Sequence, residues 1–235
     1  MWRLSDEQRA FREHLREVVL DEVRPRVREI DERCDYPHDI HETLAREGFF
    51  ALAVPTEDGG RGESEVSFCA FVEELAKVSG TVSLMAAYVK LVALPIVLAG
   101  SDEQKRRWLP GLIDGSMYGS YALTEPGVGS DPAALETRAE RHGDVWVLNG
   151  QKRFIGNAGI SVEKLRTMGM PGWHLGAPRF EDVEVPAENL LGAEGDGFKI
   201  AMMTFDRSRP GPRRPRSAAR RGASRASPSC AASRR

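Results

Sequence analysis

The stretch that decides the fold is Tyr121-Ala122-Leu123-Thr124-Glu125-Pro126-Gly127-Val128-Gly129-Ser130-Asp131. A proline bend runs into two glycines, and hydroxyl side chains flank the bend on both sides. Proline fixes its own φ, and glycine lets backbone amides come close to a ligand. Such a loop can present N–H and O–H donors to a flat, acceptor-rich ring. By spacing alone, an ordinary surface turn is the more common structure.

The residues before this stretch have helical patterns. Ser5 with Gln8, and Ser101 with Gln104, each form the capping-box signature of a helix start. Apolar residues between these two boxes recur at helical spacing. The remaining predicted helices run from about Asp39 to Glu47, from Ser64 to Gly80, and from Thr81 to Gly100. This half therefore reads as an all-α N-terminal domain.

The residues after the stretch have strand patterns. Alternating residues near Leu135–Ala139 and an apolar run at 145–148 predict two strands, and Arg179–Val185 predicts another. Asn149-Gly150 lies between the 145–148 run and the next one at 151–155, which is the strongest short-range signal for a β-hairpin. Residues 118–123 are predicted to be extended into the loop as a strand. Glycines at 195 and 197 then begin a helix that continues through Phe205. The sequence predicts an α+β fold in which a middle β-domain follows the helices.

Composition restricts the class of protein. The chain has 235 residues, 41% hydrophobic and 29% charged, as in globular proteins. Cys34, Cys69 and Cys230 give neither a disulfide framework nor zinc-ligand spacing, which favours the reducing cytoplasm. No signal peptide is visible, because charged residues interrupt the N-terminus. The most apolar run, Val82–Ala99, contains Lys90 and is predicted to be a buried helix, with no membrane span.

The last part of the chain has a different composition. Ten arginines and no acidic residue lie between Arg207 and Arg235, so all 35 acidic side chains lie in the first 206 residues. Arginine, proline, serine and glycine at this density predict coil without a core. A shifted reading frame of GC-rich codons is one interpretation. A nucleic-acid-binding arm is the other, which a gel-shift comparison with and without 211–235 would test; the absence of interleaved aromatic residues weighs against it, and no nucleic-acid partner is predicted.

The loop resembles the Tyr-x-x-Thr-Glu-Pro-x-x-Gly-Ser-Asp signature of the acyl-CoA dehydrogenases, and further segments in family order extend the resemblance over residues 4–210. They are Glu7-Gln8-Arg9-Ala10-Phe11, Val54-Pro55 with Gly59, Gly60 and Gly62, Gly100–Lys105, Leu148-Asn149-Gly150-Gln151-Lys152, Phe180–Pro186, and Gly197–Lys199 with Phe205–Pro210. Motifs of this length and order are specific.

The resemblance implies an N-terminal helical domain at 1–116, a middle β-domain at 117–193, and the start of a C-terminal four-helix domain at 194–210, followed by a disordered tail at 211–235. It implies FAD as cofactor and hydride acceptor, an acyl-CoA thioester as substrate, and an electron-transferring flavoprotein as electron acceptor. Family members form homo-oligomers, which is doubtful for this chain because the main subunit contacts belong to the missing helices. The implied FAD-contacting residues are Tyr121, Leu123, Thr124, Ser130, Phe154, Ile155 and Gly156. The implied substrate-contacting residues are Ser130, Asp206 and Arg209.

The chain departs from the family in four places. In the second flavin segment, Phe154 stands where the family has a tryptophan and can still cover the flavin ring with an aromatic face. In the same segment, Gly156 stands where the family has a threonine, so one hydroxyl donor to the flavin is lost, at a cost of about 1 kcal/mol or more. The middle domain is internally shortened near 157–165, which predicts exposed strand edges and an opened core. The C-terminal helices are missing after Pro210. The catalytic glutamate is absent, and its alternative position holds Ser208, whose hydroxyl is too weak a base. The expectation is an inactive, truncated family member, with a non-catalytic flavin or acyl-CoA binder as the alternative.

Weaker signals do not support other sites. Cys34, His38 and His41 lack a clear fourth ligand, so no metal site is predicted. Ser130 has no positioned histidine and does not indicate a hydrolase triad.

Overall fold

The structure, a computed structural model, describes residues 4–156, 164–165 and 167–209. Within these ranges six α-helices come first, then two small antiparallel sheets, then a last helix. The α-helices are α1 Asp6–Val18, α2 Val27–Arg33, α3 His38–Arg46, α4 Glu65–Val78, α5 Gly80–Ala99, α6 Asp102–Ile113 and α7 Gly197–Ser208. The strands are β1 Arg138–His142, β2 Val145–Gln151, β3 Ile155–Gly156, β4 Lys164–Leu165, β5 Leu175–Gly176 and β6 Arg179–Pro186. The predicted order of a helical part followed by strands is confirmed.

Local side-chain caps begin the helices where the sequence predicts them. The Ser5 hydroxyl accepts the Gln8 N–H at 3.2 Å, and the Gln8 side chain returns a bond to the Ser5 N–H at 3.1 Å. Ser101 and Gln104 form the same reciprocal pair at the start of α6. Gly80 differs from its prediction: it is the first residue of α5, because Ser79 has extended backbone and its hydroxyl caps the new helix. The break between α4 and α5 is therefore made by a cap, not by the glycine.

The core lies between α4 and α5 and the helices packed around them. Burial of each large apolar side chain favours the folded state by roughly 1.5–3 kcal/mol. The largest fully buried apolar side chains are Leu15, Val19, Val23, Leu44, Phe49, Leu52, Val54, Phe71, Leu75, Met85 and Leu109.

Helix α5 is long enough and apolar enough to cross a membrane. However, just over half of its most apolar 18 residues are buried inside the protein. It packs against α4, α6 and α7. Lys90, near its centre, is 3% exposed, and its ammonium group bonds both carboxylate oxygens of Glu65 at 2.5 and 2.6 Å. These contacts are those of a core helix, as the position of Lys90 predicts.

The prediction of a hairpin turn at Asn149-Gly150 is wrong. β2 runs straight through both residues, between β1 and β6 in the first sheet. The register with β6 shifts between Leu148 and Gly150, so the pair forms a bulge, and the Asn149 side chain bonds Asp182 across it. The hairpin turn is Gly143-Asp144, where Gly143 has φ +63°. An Asn-Gly pair indicates backbone with positive φ. Both turns and bulges use that conformation, so the pair does not by itself distinguish them.

The shortened middle segment does not leave the helical core open. Residues 157–163, part of the predicted shortening, lie outside the described residues. After them, Trp173 is only 4% exposed and belongs to the main core cluster, with its ring 4.9 Å from that of Tyr88. The second sheet, with β5 between β3 and β4, lies in the same region. An aromatic side chain from the segment before β5 therefore fills this part of the helical core, whereas β1, β2 and β6 contain no buried residue, in line with the predicted opening of the middle domain.

Candidate functional site

The two predicted flavin segments lie side by side. The Arg153 N–H donates to the Thr124 carbonyl at 2.8 Å, and the Lys152 ammonium group donates to the Leu123 carbonyl at 3.2 Å. Three positions before Leu123, the Ser120 hydroxyl donates to the Gly156 carbonyl at 2.9 Å. Residues 118–123 are in neither sheet, contrary to the strand prediction, since side chains and the 152–156 segment satisfy several of their backbone groups.

The loop at 125–128 is a closed turn. The Glu125 N–H donates to the Val128 carbonyl at 2.9 Å, and the Val128 N–H donates back to the Glu125 carbonyl at 3.2 Å. Val128 is buried and anchors the turn. Apart from the adjacent residues, no heavy atom of the part of the chain that the structure describes lies within 4 Å of the position a Cβ would take at Gly127 or Gly129. The glycines therefore leave open space at the tip, as expected of a loop that accepts a ligand.

Glu125 and Lys152 form a buried ion pair behind the loop. The Lys152 ammonium group lies 2.8 Å from the Glu125 carboxylate, and both side chains are less than one tenth exposed. The same carboxylate accepts the N–H groups of Glu136 at 2.7 Å and Thr137 at 3.0 Å. Burial raises the pKa of Glu125, but these charged and backbone donors outweigh burial and lower it to about 2. The carboxylate therefore stays ionised at neutral pH.

Donors and an aromatic ring border the loop on the outside. The hydroxyls of Thr124 and Ser130 form no hydrogen bond with the part of the chain that the structure describes. Phe154 is 56% exposed and has φ +60°, with the Arg153 guanidinium 5.0 Å from its ring. An exposed ring held in a left-handed conformation is uncommon for phenylalanine and points to a site. Hydroxyl donors without a partner among the described residues and an exposed aromatic ring are groups that a flat heteroaromatic ligand such as a flavin can use.

Ile155 and Gly156 are buried and differ from this pattern. The Ile155 side chain is in the interior, so only its backbone remains for a ligand. At Gly156 a Cβ would lie 2.3 Å from Cζ2 of Trp173. The Trp173 ring therefore occupies the space that the family's threonine side chain would take. The chain has lost the hydroxyl, and the indole fills the core at that position.

Helix α7 connects the loop with the predicted substrate residues. The centre of the Tyr121 ring lies 5.7 Å from that of Phe205, and the Arg209 guanidinium lies 5.8 Å from the centre of the Phe205 ring. Burial raises the pKa of Tyr121, so the phenol stays neutral. Asp206 and Arg209 are exposed and lie one helical turn apart on the same face. Their charges are thus accessible to a ligand.

Ser208 provides no base. Its side chain is buried, and its hydroxyl donates to the Phe205 carbonyl at 3.4 Å. A serine hydroxyl is too weak a base to take the α-proton of a thioester unaided.

An apolar cavity of about 760 Å³ lies next to the loop, between the first sheet and α7. Of the predicted site residues, only Tyr121 and Leu123 line it. Its other walls include Trp146, Leu148, Phe198 and Ile200. The remaining predicted site residues do not line this cavity.

Sequence reasoning missed several residues that build the site. Glu125 and Lys152 lie inside the quoted motifs, but nothing in the sequence shows that these charges are buried together. Tyr88 binds both backbone groups of Tyr121 through its hydroxyl, at 3.0 and 3.4 Å, and Trp173 closes the space at Gly156. Only a fixed tertiary structure brings these distant residues to the loop.

The histidines near Cys34 belong to an aromatic cluster. His41 is 1% exposed, its Nδ1 is 2.9 Å from the Tyr36 hydroxyl, and its ring stacks on Tyr118 at 4.5 Å. Among the described residues, no group of three or more His, Cys, Asp or Glu side chains could hold a metal ion. These side chains are explained by packing.

The sequence model of the acyl-CoA dehydrogenase N-terminal domain matches residues 5–116, and that of the middle domain matches residues 120–162. The chain belongs to the acyl-CoA dehydrogenase family. The "Probable acyl-CoA dehydrogenase FadE25" of Mycobacterium tuberculosis is 32% identical over 89% of this chain and 62% of its own length. The chain therefore spans about 62% of the length of this curated relative.

Solved structures agree with the family assignment. Butyryl-CoA dehydrogenase from Megasphaera elsdenii is 30% identical with a TM-score of 0.86, over 93% of this chain and 67% of that one. A chain in the structure of the electron transferring flavoprotein of Acidaminococcus fermentans is 30% identical with a TM-score of 0.89, over 95% and 67%.

The acyl-CoA dehydrogenase family uses FAD. A relative from Bacillus anthracis was solved as a complex with FAD; it is 29% identical with a TM-score of 0.79, over 88% of this chain and 41% of that one. The exposed Phe154 ring and the Thr124 and Ser130 hydroxyls, which have no hydrogen-bond partner among the described residues, fit this cofactor, whereas Gly156 has no side-chain hydroxyl to offer it.

Proposed function

We propose that this chain carries the FAD-facing and acyl-CoA-facing part of an acyl-CoA dehydrogenase, a flavoprotein that oxidises an acyl-CoA thioester at its α,β-bond. The observation that carries the proposal is the pairing of the 121–131 and 152–156 segments through the Arg153–Thr124 and Lys152–Leu123 bonds, next to the exposed ring of Phe154. The proposal includes an N-terminal helical domain at 1–116, a middle β-domain at 117–193 and the start of a C-terminal helical domain at 194–210. It also includes a cytoplasmic location.

The residues divide into two groups by the ligand they would hold. Thr124 and Ser130 would donate hydrogen bonds to FAD, Phe154 would cover the ring, and the remaining contacts would come from backbone at Tyr121, Leu123, Ile155 and Gly156. Ser130, Asp206 and Arg209 would contact the acyl-CoA. FAD in this position supplies the acceptor for the hydride from the β-carbon, and an electron-transferring flavoprotein would take up the electrons.

We infer that the 235 residues by themselves bind without turnover. Removal of the α-proton requires a base of suitable pKa within reach, and Ser208 is a buried hydrogen-bond donor. Glu125 is ionised but buried and fully engaged, so its carboxylate is not available to a substrate. A non-catalytic flavin and acyl-CoA binder is therefore the form of the function that this polypeptide supports.

The purified chain tests this proposal through its flavin absorbance and through titration with FAD followed by flavin fluorescence. We expect bound flavin, acyl-CoA binding by calorimetry, and no reduction of an electron-accepting dye. Thr124→Val should weaken FAD binding by about 1 kcal/mol, or roughly fivefold in Kd. Thr43→Val on α3 is the matched control and should leave the Kd unchanged, since that hydroxyl contacts Arg46. Protein that is colourless and takes up no added FAD would contradict the proposal, and dye reduction would contradict the lack of turnover.

A further inference from the structure

We propose that the buried Glu125–Lys152 ion pair is a positioning device that holds the two flavin-facing segments in one arrangement. The inference rests on the proposed function, because it assigns a role to residues of the same site. Neither side chain is exposed enough to contact a ligand, so the pair acts through the residues it holds.

The carboxylate joins three parts of the chain. One oxygen of Glu125 accepts from the Lys152 ammonium group at 2.8 Å and from the Thr137 N–H at 3.0 Å. The other oxygen accepts from the Glu136 N–H at 2.7 Å. The loop is thereby tied to the residues that lead into β1 and to the residue that follows β2.

The ammonium end is fixed as well. Besides Glu125, Lys152 donates from its side chain to the Leu123 carbonyl at 3.2 Å, and its backbone N–H donates to the Pro178 carbonyl at 2.8 Å. The next residue, Arg153, donates to the Thr124 carbonyl. Lys152 and Arg153 together therefore hold Leu123 and Thr124, and Lys152 also holds Pro178, the residue just before β6.

Orientation is the main contribution of such a pair. A buried ion pair adds little stability relative to apolar side chains of similar volume, because desolvation of both charges opposes their attraction. Its hydrogen bonds have fixed directions, which apolar packing lacks. The segments that it joins carry Thr124 and Phe154, so loss of the pair would let the hydroxyl donor and the ring move relative to each other.

The experiment compares Lys152→Met and Glu125→Gln with the wild type. The conservative variant is Lys152→Arg, which keeps the charge. The matched control is Glu74→Gln, since Glu74 is another buried carboxylate held by two cations, Arg12 and Lys77, both at 2.5 Å, between helices. The two readouts are the Kd for FAD and amide hydrogen exchange at Glu136, Thr137 and Arg153 in the ligand-free protein.

We expect Lys152→Met to weaken FAD binding roughly tenfold, similar to the loss of a supporting partner at metal sites, and to speed exchange at the three amides. Lys152→Arg should retain most of the wild-type FAD affinity and most of the protection of the three amides from exchange. Glu74→Gln should lower the melting temperature without changing the FAD Kd or these amides. If Lys152→Met does not fold, the neutral pair of Glu125→Gln with Lys152→Met restores a foldable core, and the same readouts apply.

Two results would overturn the inference. One is unchanged exchange at the three amides in Lys152→Met or in the neutral pair. The other is an equal loss of FAD affinity in Glu74→Gln, which would mean that general stability alone controls binding. If the wild type takes up no FAD, the proposed function fails, and the exchange measurement still decides whether the pair positions the segments.

Discussion

Replacing Gly156 with threonine would restore the family's hydroxyl, yet the structure predicts that the change is destabilising. The new Cβ would lie 2.3 Å from Cζ2 and 2.9 Å from Cε2 of Trp173, and 3.1 Å from Cζ of Tyr88. Ordinary contacts begin at 3.4 Å, so the indole would have to move by about 1 Å. Trp173 is 4% exposed in the main core and has little space to move.

The magnitude follows from overpacking. Extra atoms in a packed core cost about 1–3 kcal/mol, and the short distance here places Gly156→Thr near 3 kcal/mol. In a protein of this size, that corresponds to a fall of roughly 6–12 °C in melting temperature. The regained hydroxyl would contribute only about 1 kcal/mol to flavin binding. The clash therefore outweighs the hydrogen bond, and FAD affinity should not improve.

A double-mutant cycle measured by urea unfolding tests this reasoning. Trp173→Ala alone should cost about 3–5 kcal/mol, and it should make room for the threonine. The double variant should then be more stable than the sum of the single effects by roughly 1–3 kcal/mol. Gly169→Thr is the control, since among the described residues nothing beyond its chain neighbours lies within 4 Å of a Cβ at that position. A stability of Gly156→Thr within about 0.5 kcal/mol of the wild type, or additive effects in the cycle, would refute the argument.

Three further predictions concern stability. Burial, helped by the nearby charge of His38, lowers the pKa of His41 from 6.5 to about 4, so the unfolded state takes up the proton first. The free energy of unfolding should fall by roughly 3 kcal/mol as pH decreases from about 6.5 to 4, and this slope should be lost in His41→Phe. Glu65→Gln should destabilise by about 2 kcal/mol or more because it leaves the Lys90 charge buried and unpaired, whereas Lys90→Met leaves an exposed carboxylate and should cost less; equal effects in thermal unfolding would contradict this. Ser101→Ala removes the α6 cap and should cost about 1 kcal/mol in urea unfolding, and an unchanged midpoint would contradict that expectation.

The helical half could be predicted because its signals are local. The Ser5 and Ser101 boxes specify backbone donors three residues away, so their geometry depends on nothing distant. Asn149-Gly150 shows the limit of such reasoning. The pair signals positive φ, but pairing of β2 with both β1 and β6 decides that the conformation is used in a bulge.

The candidate site divides in the same way. Motif wording placed Tyr121, Thr124 and Phe154 among the cofactor-contacting residues, and this placement stays a prediction. The sequence could not show that Glu125 and Lys152 meet in the interior, because charged residues are usually exposed and burial depends on the whole fold.

By itself, the sequence determined the helices, the order of the two structural halves and the family, since capping, periodicity and long ordered motifs are properties of neighbouring residues. The loop from Tyr121 to Asp131 was part of that information. The tertiary structure alone decided that Trp173 occupies the space beside Gly156 and that a buried ion pair joins the two flavin-facing segments. Both depend on contacts between residues far apart in the chain, and such contacts are fixed only when the core packs to its full density.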